Sequence, residues 1–122
     1  MKLADVQQIL HAEVLCGHEH LGRETQAACG ADLMSDVLAF TKEKALLLTG
    51  LTNIQVIRTA EMSDLVGIVF VRGKRPGPEV IQLAESKGIP LLLSRYPMYE
   101  SCGALYKGGL RGCSEMVMAC EA

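Results

Sequence analysis

Three short runs of the chain are almost free of charge: 45–48 (ALLL), 65–71 (LVGIVFV) and 89–93 (IPLLL). Each is the length of a strand. Each is apolar throughout instead of alternating with polar residues, which marks strands covered on both faces, as in parallel sheets. The run 65–71 is β-branched and aromatic, the strongest strand signal in the chain. Between and after the runs the period changes to that of a helix. Thr52 is placed to cap a helix whose inner face is Ile54, Ile57 and Ala60, with Asn53, Gln55 and Arg58 toward water. Pro78 suits a first helical position, and Val80, Leu83 and Ala84 form the stripe that follows. Lys87-Gly88 closes that helix with a cation and a glycine. Pro97 opens a further helix carrying Met98, Cys102 and Leu105, stopped by Gly108-Gly109.

The first 44 residues are less regular. Leu3, Val6, Ile9 and Leu10 recur at helical spacing. Residues 13–16 form a brief strand candidate and 25–31 a second one, rich in small residues. Between them 17–22 is polar and glycine-bounded, so the two strands are expected to form a hairpin with the histidines at its tip. Asp32 or Ser35 is placed to cap a short helix through Phe40. Alternating strands and helices predict right-handed crossovers in a single α/β domain with a mostly parallel sheet and helices on both faces. That domain is expected over residues 1–110. Residues 111–122 form an apolar tail, docking or dimerising. Cys113, Met116, Val117 and Cys120 suit a helix there, and Met116, Met118 and Cys120 suit a strand equally well.

Composition narrows the class. A chain of 122 residues, 49% hydrophobic and 21% charged, is globular and one domain in size. A net charge of -2 and a pI near 5.9 leave no electrostatic footprint for nucleic acid or an anionic membrane. No apolar run spans a bilayer, and MKLADVQQIL lacks the apolar segment of a signal peptide, so a cytoplasmic protein is expected. Five cysteines, at 16, 29, 102, 113 and 120, contain no CxxC pair. They fit reduced thiols better than a disulfide scaffold or a zinc ribbon.

Candidate chemistry sits in two places. Ligands of open parallel sheets bind outside the carboxyl ends of the strands. The loops there are Thr49-Gly50-Leu51-Thr52, the basic segment RGKRPGP (72–78) and Ser94-Arg95-Tyr96. Arg72, Lys74 and Arg75, with backbone N–H groups and the N-terminus of the next helix, could hold a phosphate or carboxylate. A solvated basic turn is the plainer reading of the same residues. The second place is CGHEH (16–20). In a strand, Cys16, His18 and His20 would share one face and offer three metal ligands, whereas Gly17 favours a turn. No second ligand pair follows downstream. Nucleophilic catalysis has little support. All three histidines fall within the first twenty residues, leaving Ser94 without a base, and Cys29 sits among small apolar residues as a packing cysteine does.

Taken in order, AEVLCG (12–17), GRE (22–24), ADLMSDVLAF (31–40), ALLLTG (45–50), IVFVRGKRPGPEVIQLAESKGIPLLLS (68–94) and YESCGALYKGGL (99–110) resemble a stand-alone DRTGG-domain protein. The likeness runs nearly the whole length. Of the motif that names the family, only Gly50 and Gly73 carry over; Leu51-Thr52 and Val71-Arg72 stand where its other residues would be. The resemblance implies a parallel α/β fold like the N-terminal regions of bacterial HPr kinases and Mur ligases. It also implies a regulatory role of the kind such domains have beside CBS domain pairs, and a homodimer. The expectation is a non-catalytic module that needs no cofactor and binds a small anionic ligand, a nucleotide or phosphorylated compound, or else a partner protein. Its ligand residues would be Ser35, Asp36, Thr49, Gly50, Arg72, Gly73, Lys74, Arg75 and Ser94. The alternative is a metal or iron–sulfur-associated redox protein using Cys16, His18 and His20, since small stand-alone members are linked to hydrogenase proteins.

Overall fold

The structure, a computed structural model, describes residues 1–113. Its elements run α1 (Leu3–Leu10), β1 (Glu13–Cys16), β2 (Ala27–Gly30), α2 (Met34–Phe40), β3 (Leu46–Thr49) and α3 (Ile54–Met62). They continue with β4 (Gly67–Phe70), α4 (Pro78–Ser86), β5 (Leu91–Leu93), α5 (Met98–Lys107) and β6 (Arg111–Gly112). The six strands form one sheet in the order β1-β5-β4-β3-β2-β6. Only β1 is antiparallel, pairing with β5; every other neighbour is parallel.

The uncharged runs are the three central strands, and their side chains divide between two cores by the period of two. Leu47, Ile68, Phe70, Leu91 and Leu93 point to one face, where Val37 of α2, Val56, Ile57 and Ala60 of α3, and Val80 and Ala84 of α4 cover them. Leu46, Leu48, Val69 and Leu92 point to the other, against Leu3, Val6 and Leu10 of α1 and Leu105 of α5. A strand apolar on both sides is therefore required at each central position. Among the described residues no helix is long and apolar enough to cross a membrane.

The expected hairpin does not form. β1 pairs with β5 and β2 pairs with β3, so the two strands lie on opposite sides of the sheet. Each extends a parallel core that would otherwise end in unpaired backbone. Gly17 makes this possible: with φ at 83° it turns the chain out of β1 over Pro90, and a Cβ there would sit 2.6 Å from Pro90 Cα. Residues 18–20 then form one turn of 3₁₀ helix, and Arg23 donates to the carbonyl of Gly88 at 2.9 Å. Thr25, fully buried, donates to the carbonyls of Ala27 and Lys44 and anchors the entry to β2.

Two expected caps are also absent. Leu33 occupies the N-cap of α2 and Asn53 that of α3, and neither Asp32, Ser35 nor Thr52 caps by a side-chain bond. Pro78 does open α4 and Gly88 follows its end with φ at 69°. At the C-terminus Arg111–Gly112 add a short parallel strand to β2, and Cys113 is buried. The expectations for Met116, Val117, Met118 and Cys120 lie outside the described residues.

Candidate functional site

The carboxyl ends of β2, β3, β4 and β5 meet along one rim, and the topology brings Asp32, Thr49-Gly50, Arg72-Gly73 and Ser94 to it. Asp32, one turn of chain past β2, reaches across to β3. Its Oδ1 accepts from the Gly50 N–H at 2.7 Å and from the Thr49 hydroxyl at 3.1 Å. Thr49 is completely buried, and its oxygen in turn accepts from the Leu51 N–H at 3.1 Å. The carboxylate thus holds the β3–α3 loop by charge-assisted bonds of the stronger kind.

Arg72 faces it from the end of β4. A methyl group built on Gly50 would lie 3.5 Å from Asp32 Oδ1 and 3.9 Å from Arg72 Nη2, so a carboxylate and a guanidinium flank one glycine. Arg72 and Gly73 are both left-handed, with φ of 59° and 65°. An arginine seldom adopts that region, and such strain persists only where the surroundings over-determine it. Here they do. The Arg72 N–H donates to the carbonyl of Tyr96 at 2.9 Å and the Gly73 N–H to that of Ser94 at 2.8 Å. The β5–α5 loop is braced in its own right. Ser94 and Ser101 hydroxyls lie 3.0 Å apart, Ser94 Oγ accepts from the Tyr96 N–H, and Ser101 donates to the Tyr96 carbonyl.

The residues expected at the ligand are thereby sorted. Thr49, Gly50, Arg72 and Gly73 converge on the rim. Ser94 and the Thr49 side chain belong to it only as support, since both hydroxyls are fully buried and engaged. Arg75 is turned away and pairs with Glu13 of β1 at 2.6 Å. Lys74 is exposed, and neither it nor Arg72 has a carboxylate partner among the described residues. Ser35 and Asp36 lie exposed in the first turn of α2. The N-terminus of α4, expected to attract an anion, already has one: the Glu79 carboxylate folds back to within 2.6 Å of where a Cβ on Gly77 would be. Asp32, expected from the sequence as a helix cap, instead holds the β3–α3 loop. The usable signal was its position, the second residue after a strand of a parallel sheet.

A depression of about 790 Å³ lies at the opposite end of the strands, between residues 23–27, 42–44 and 64–66. Its cations Arg23, Lys42 and Lys44 are matched there by Glu24, Glu43 and Asp64. The loops at the rim carry Arg72, Lys74 and Arg95, all exposed, and Arg72 lies beside Asp32 at Gly50.

CGHEH does not gather its ligand-type side chains at one point. Cys16 is buried, its thiol donating to the Ile89 carbonyl at 3.5 Å, and burial pushes that thiol above its ordinary range. His18 and His20 lie beyond the Gly17 turn, and His20 Nε2 faces Glu19 at 3.4 Å. Among the described residues no group of three His, Cys, Asp or Glu side chains is disposed to hold a metal ion.

The fold and rim define a doubly wound α/β domain with an extra antiparallel edge strand. The DRTGG domain family matches residues 5–107, and the chain belongs to that family. Among solved structures the chain is similar to the CBS and DRTGG domains of the regulatory region of Clostridium perfringens pyrophosphatase, in complex with the activator diadenosine tetraphosphate. The TM-score is 0.70 at 14% identity, over 95% of this chain and 52% of that one. The chain therefore spans about half the length of that regulatory region, and the likeness is one of fold. No curated protein matches it significantly.

Proposed function

We propose that this domain is a non-catalytic regulatory module that binds a small anionic ligand, of the nucleotide or phosphorylated class, at the rim formed by Asp32, Thr49, Gly50, Arg72 and Lys74. The observation that carries the reading is the strained Arg72, held by the Tyr96 carbonyl beside Gly50 with no carboxylate partner among the described residues. Its guanidinium offers a fork that matches phosphate or carboxylate geometry. The Gly50 N–H is not offered, because Asp32 occupies it at 2.7 Å. Asp32 Oδ2 receives no bond from that loop, which leaves an acceptor for ligand hydroxyls. The fold neighbour's activator is a nucleotide, which supports the ligand class. The domain acts as a homodimer in this reading. Support comes from α2 and the residue before it, where Leu33, Leu38 and Phe40 stand 59%, 46% and 70% exposed.

The test is a thermal-shift screen of nucleotides and phosphorylated metabolites on the whole chain, with Arg72→Ala in parallel. A ligand at a hundred times its Kd stabilises by about 2.7 kcal/mol. The expected result is a shift in the parent protein that is lost in Arg72→Ala. No shift with any phosphorylated compound, or a shift unchanged in the variant, rejects the site.

A further inference from the structure

The sheet brings β6, and with it Cys113, beside the strand that carries Cys29, 84 positions earlier in the chain. β6 runs parallel to β2 with Ala27 opposite Arg111 and Ala28 opposite Gly112. Continued by one residue past the end of β6, that register would bring Cys113 opposite Cys29. Both side chains fall on the same face: Cys113 is a buried member of the core beneath α2, α3 and α4, and Cys29 packs against that core. Both are free thiols. Cys102 is also near Cys29, yet it packs into the opposite core with its Sγ toward Met98 at 3.7 Å.

Paired strands lie about 4.8 Å apart, and a disulfide needs its Cα atoms about 4.4–6.8 Å apart with Cβ atoms near 3.8 Å. Neighbours on one face of parallel strands satisfy the first condition and miss the second by about 1 Å. A two-residue strand paired, among the described residues, with β2 alone can move that far. The bond so formed is strained, and strained disulfides are the readily reduced ones.

We infer that Cys29 and Cys113 are a reversible oxidation site, which a peroxide or a small disulfide closes into a cross-strand bond between β2 and β6. With hydrogen peroxide one thiol gives up its proton, its sulfur attacks an oxygen and cleaves the O–O bond to become a sulfenic acid, and the hydroxide released takes that proton and leaves as water. The second thiolate attacks that sulfur, the S–S bond forms and a second water leaves. Two thiols lose two protons and two electrons, and one peroxide is reduced to two waters. The consequence is local: the end of β6 becomes covalently tied to the strand that delivers Asp32 to the rim.

The experiment uses the whole chain at low concentration, treated with one equivalent of hydrogen peroxide, then alkylated in denaturant and digested with trypsin without reduction. Cleavage after Arg23, Lys42 and Arg111 isolates Cys29 in peptide 24–42 and Cys113 in peptide 112–122. Peptide 112–122 also carries Cys120, so Cys120→Ser is run in parallel. The expected product is the 24–42/112–122 pair, lighter by two hydrogens, from a monomeric band. It persists in Cys120→Ser, is absent in Cys113→Ser and reverses with dithiothreitol. A link from Cys29 to Cys102, loss of the link in Cys120→Ser, or alkylated Cys29 and Cys113 after oxidation overturns the inference. Circular dichroism of Cys113→Ser confirms that the variant is folded. Because the readout is a crosslink and not ligand binding, its failure leaves the rim reading standing.

Discussion

Arg72 holds a left-handed backbone that glycine would adopt freely, so Arg72→Gly separates what the residue does for stability from what it does for binding. With φ at 59° the arginine carries a steric cost of roughly 1–2 kcal/mol, which glycine removes. Glycine loses more chain entropy on folding, which returns about 0.5–1 kcal/mol of that gain. The main-chain bond from residue 72 to the Tyr96 carbonyl survives in either case, since it needs no side chain. Arg72→Ala keeps both the bond and the strain. Glycine is therefore expected to exceed alanine in stability by about 0.5–1 kcal/mol, a difference of about 0.3–0.5 M in urea midpoint at an ordinary denaturant slope. Both variants lose the guanidinium. A charge-assisted bond contributes about 1.5–3 kcal/mol, so Kd for the rim ligand should rise about 10- to 150-fold in each. Urea melts followed by circular dichroism give the first quantity and isothermal titration the second. If glycine proves less stable than alanine, residue 72 is not strained. If both variants bind as the parent does, the rim does not hold the ligand.

Asp32→Ala strips an acceptor from the Gly50 N–H and from the buried Thr49 hydroxyl and should cost about 2 kcal/mol, while Asp32→Asn, which keeps an oxygen there, should cost less than half as much; equal urea midpoints for the two would refute the bracing role. Gly17→Ala meets Pro90 at 2.6 Å and keeps a left-handed φ, so strain and overpacking together should cost about 3 kcal/mol, and a fall in Tm below about 2 °C would contradict the packing. Burial raises the Cys16, Cys29 and Cys102 thiols above the ordinary value of 9.0, so the folded chain holds its thiol protons more tightly than the unfolded one. Stability is then complete below pH 9.0 and declines above it, as the unfolded thiols ionise first; melts from pH 7 to 10 should show that decline, smaller in a Cys29→Ser, Cys102→Ser double variant.

The class of the fold was legible before any coordinates, because burial on both faces writes itself into local composition. Runs 45–48, 65–71 and 89–93 had no other way to be satisfied, and the helices between them carried apolar stripes, with Pro78 and Gly88 as their punctuation. The rim loops followed from topology alone, and Thr49, Gly50, Arg72 and Gly73 are indeed neighbours there. Ser94 and Arg75 carried the same residue chemistry in the same loops, yet one faces inward to Ser101 and the other pairs with Glu13. Only packing distinguishes them. What the chain could not announce was pairing at a distance. The small, weakly patterned strands β1 and β2 read as a hairpin because they are consecutive, and they parted because each gained more from an open edge of the parallel core than from the other. Asp32 read as a helix cap for the same reason: nothing local says that a loop 18 residues away will present an N–H at 2.7 Å. Periodicity is a property of neighbours in sequence and survives in one dimension; register, side-chain direction and the meeting of Cys29 with Cys113 are properties of neighbours in space and exist only once the sheet is assembled.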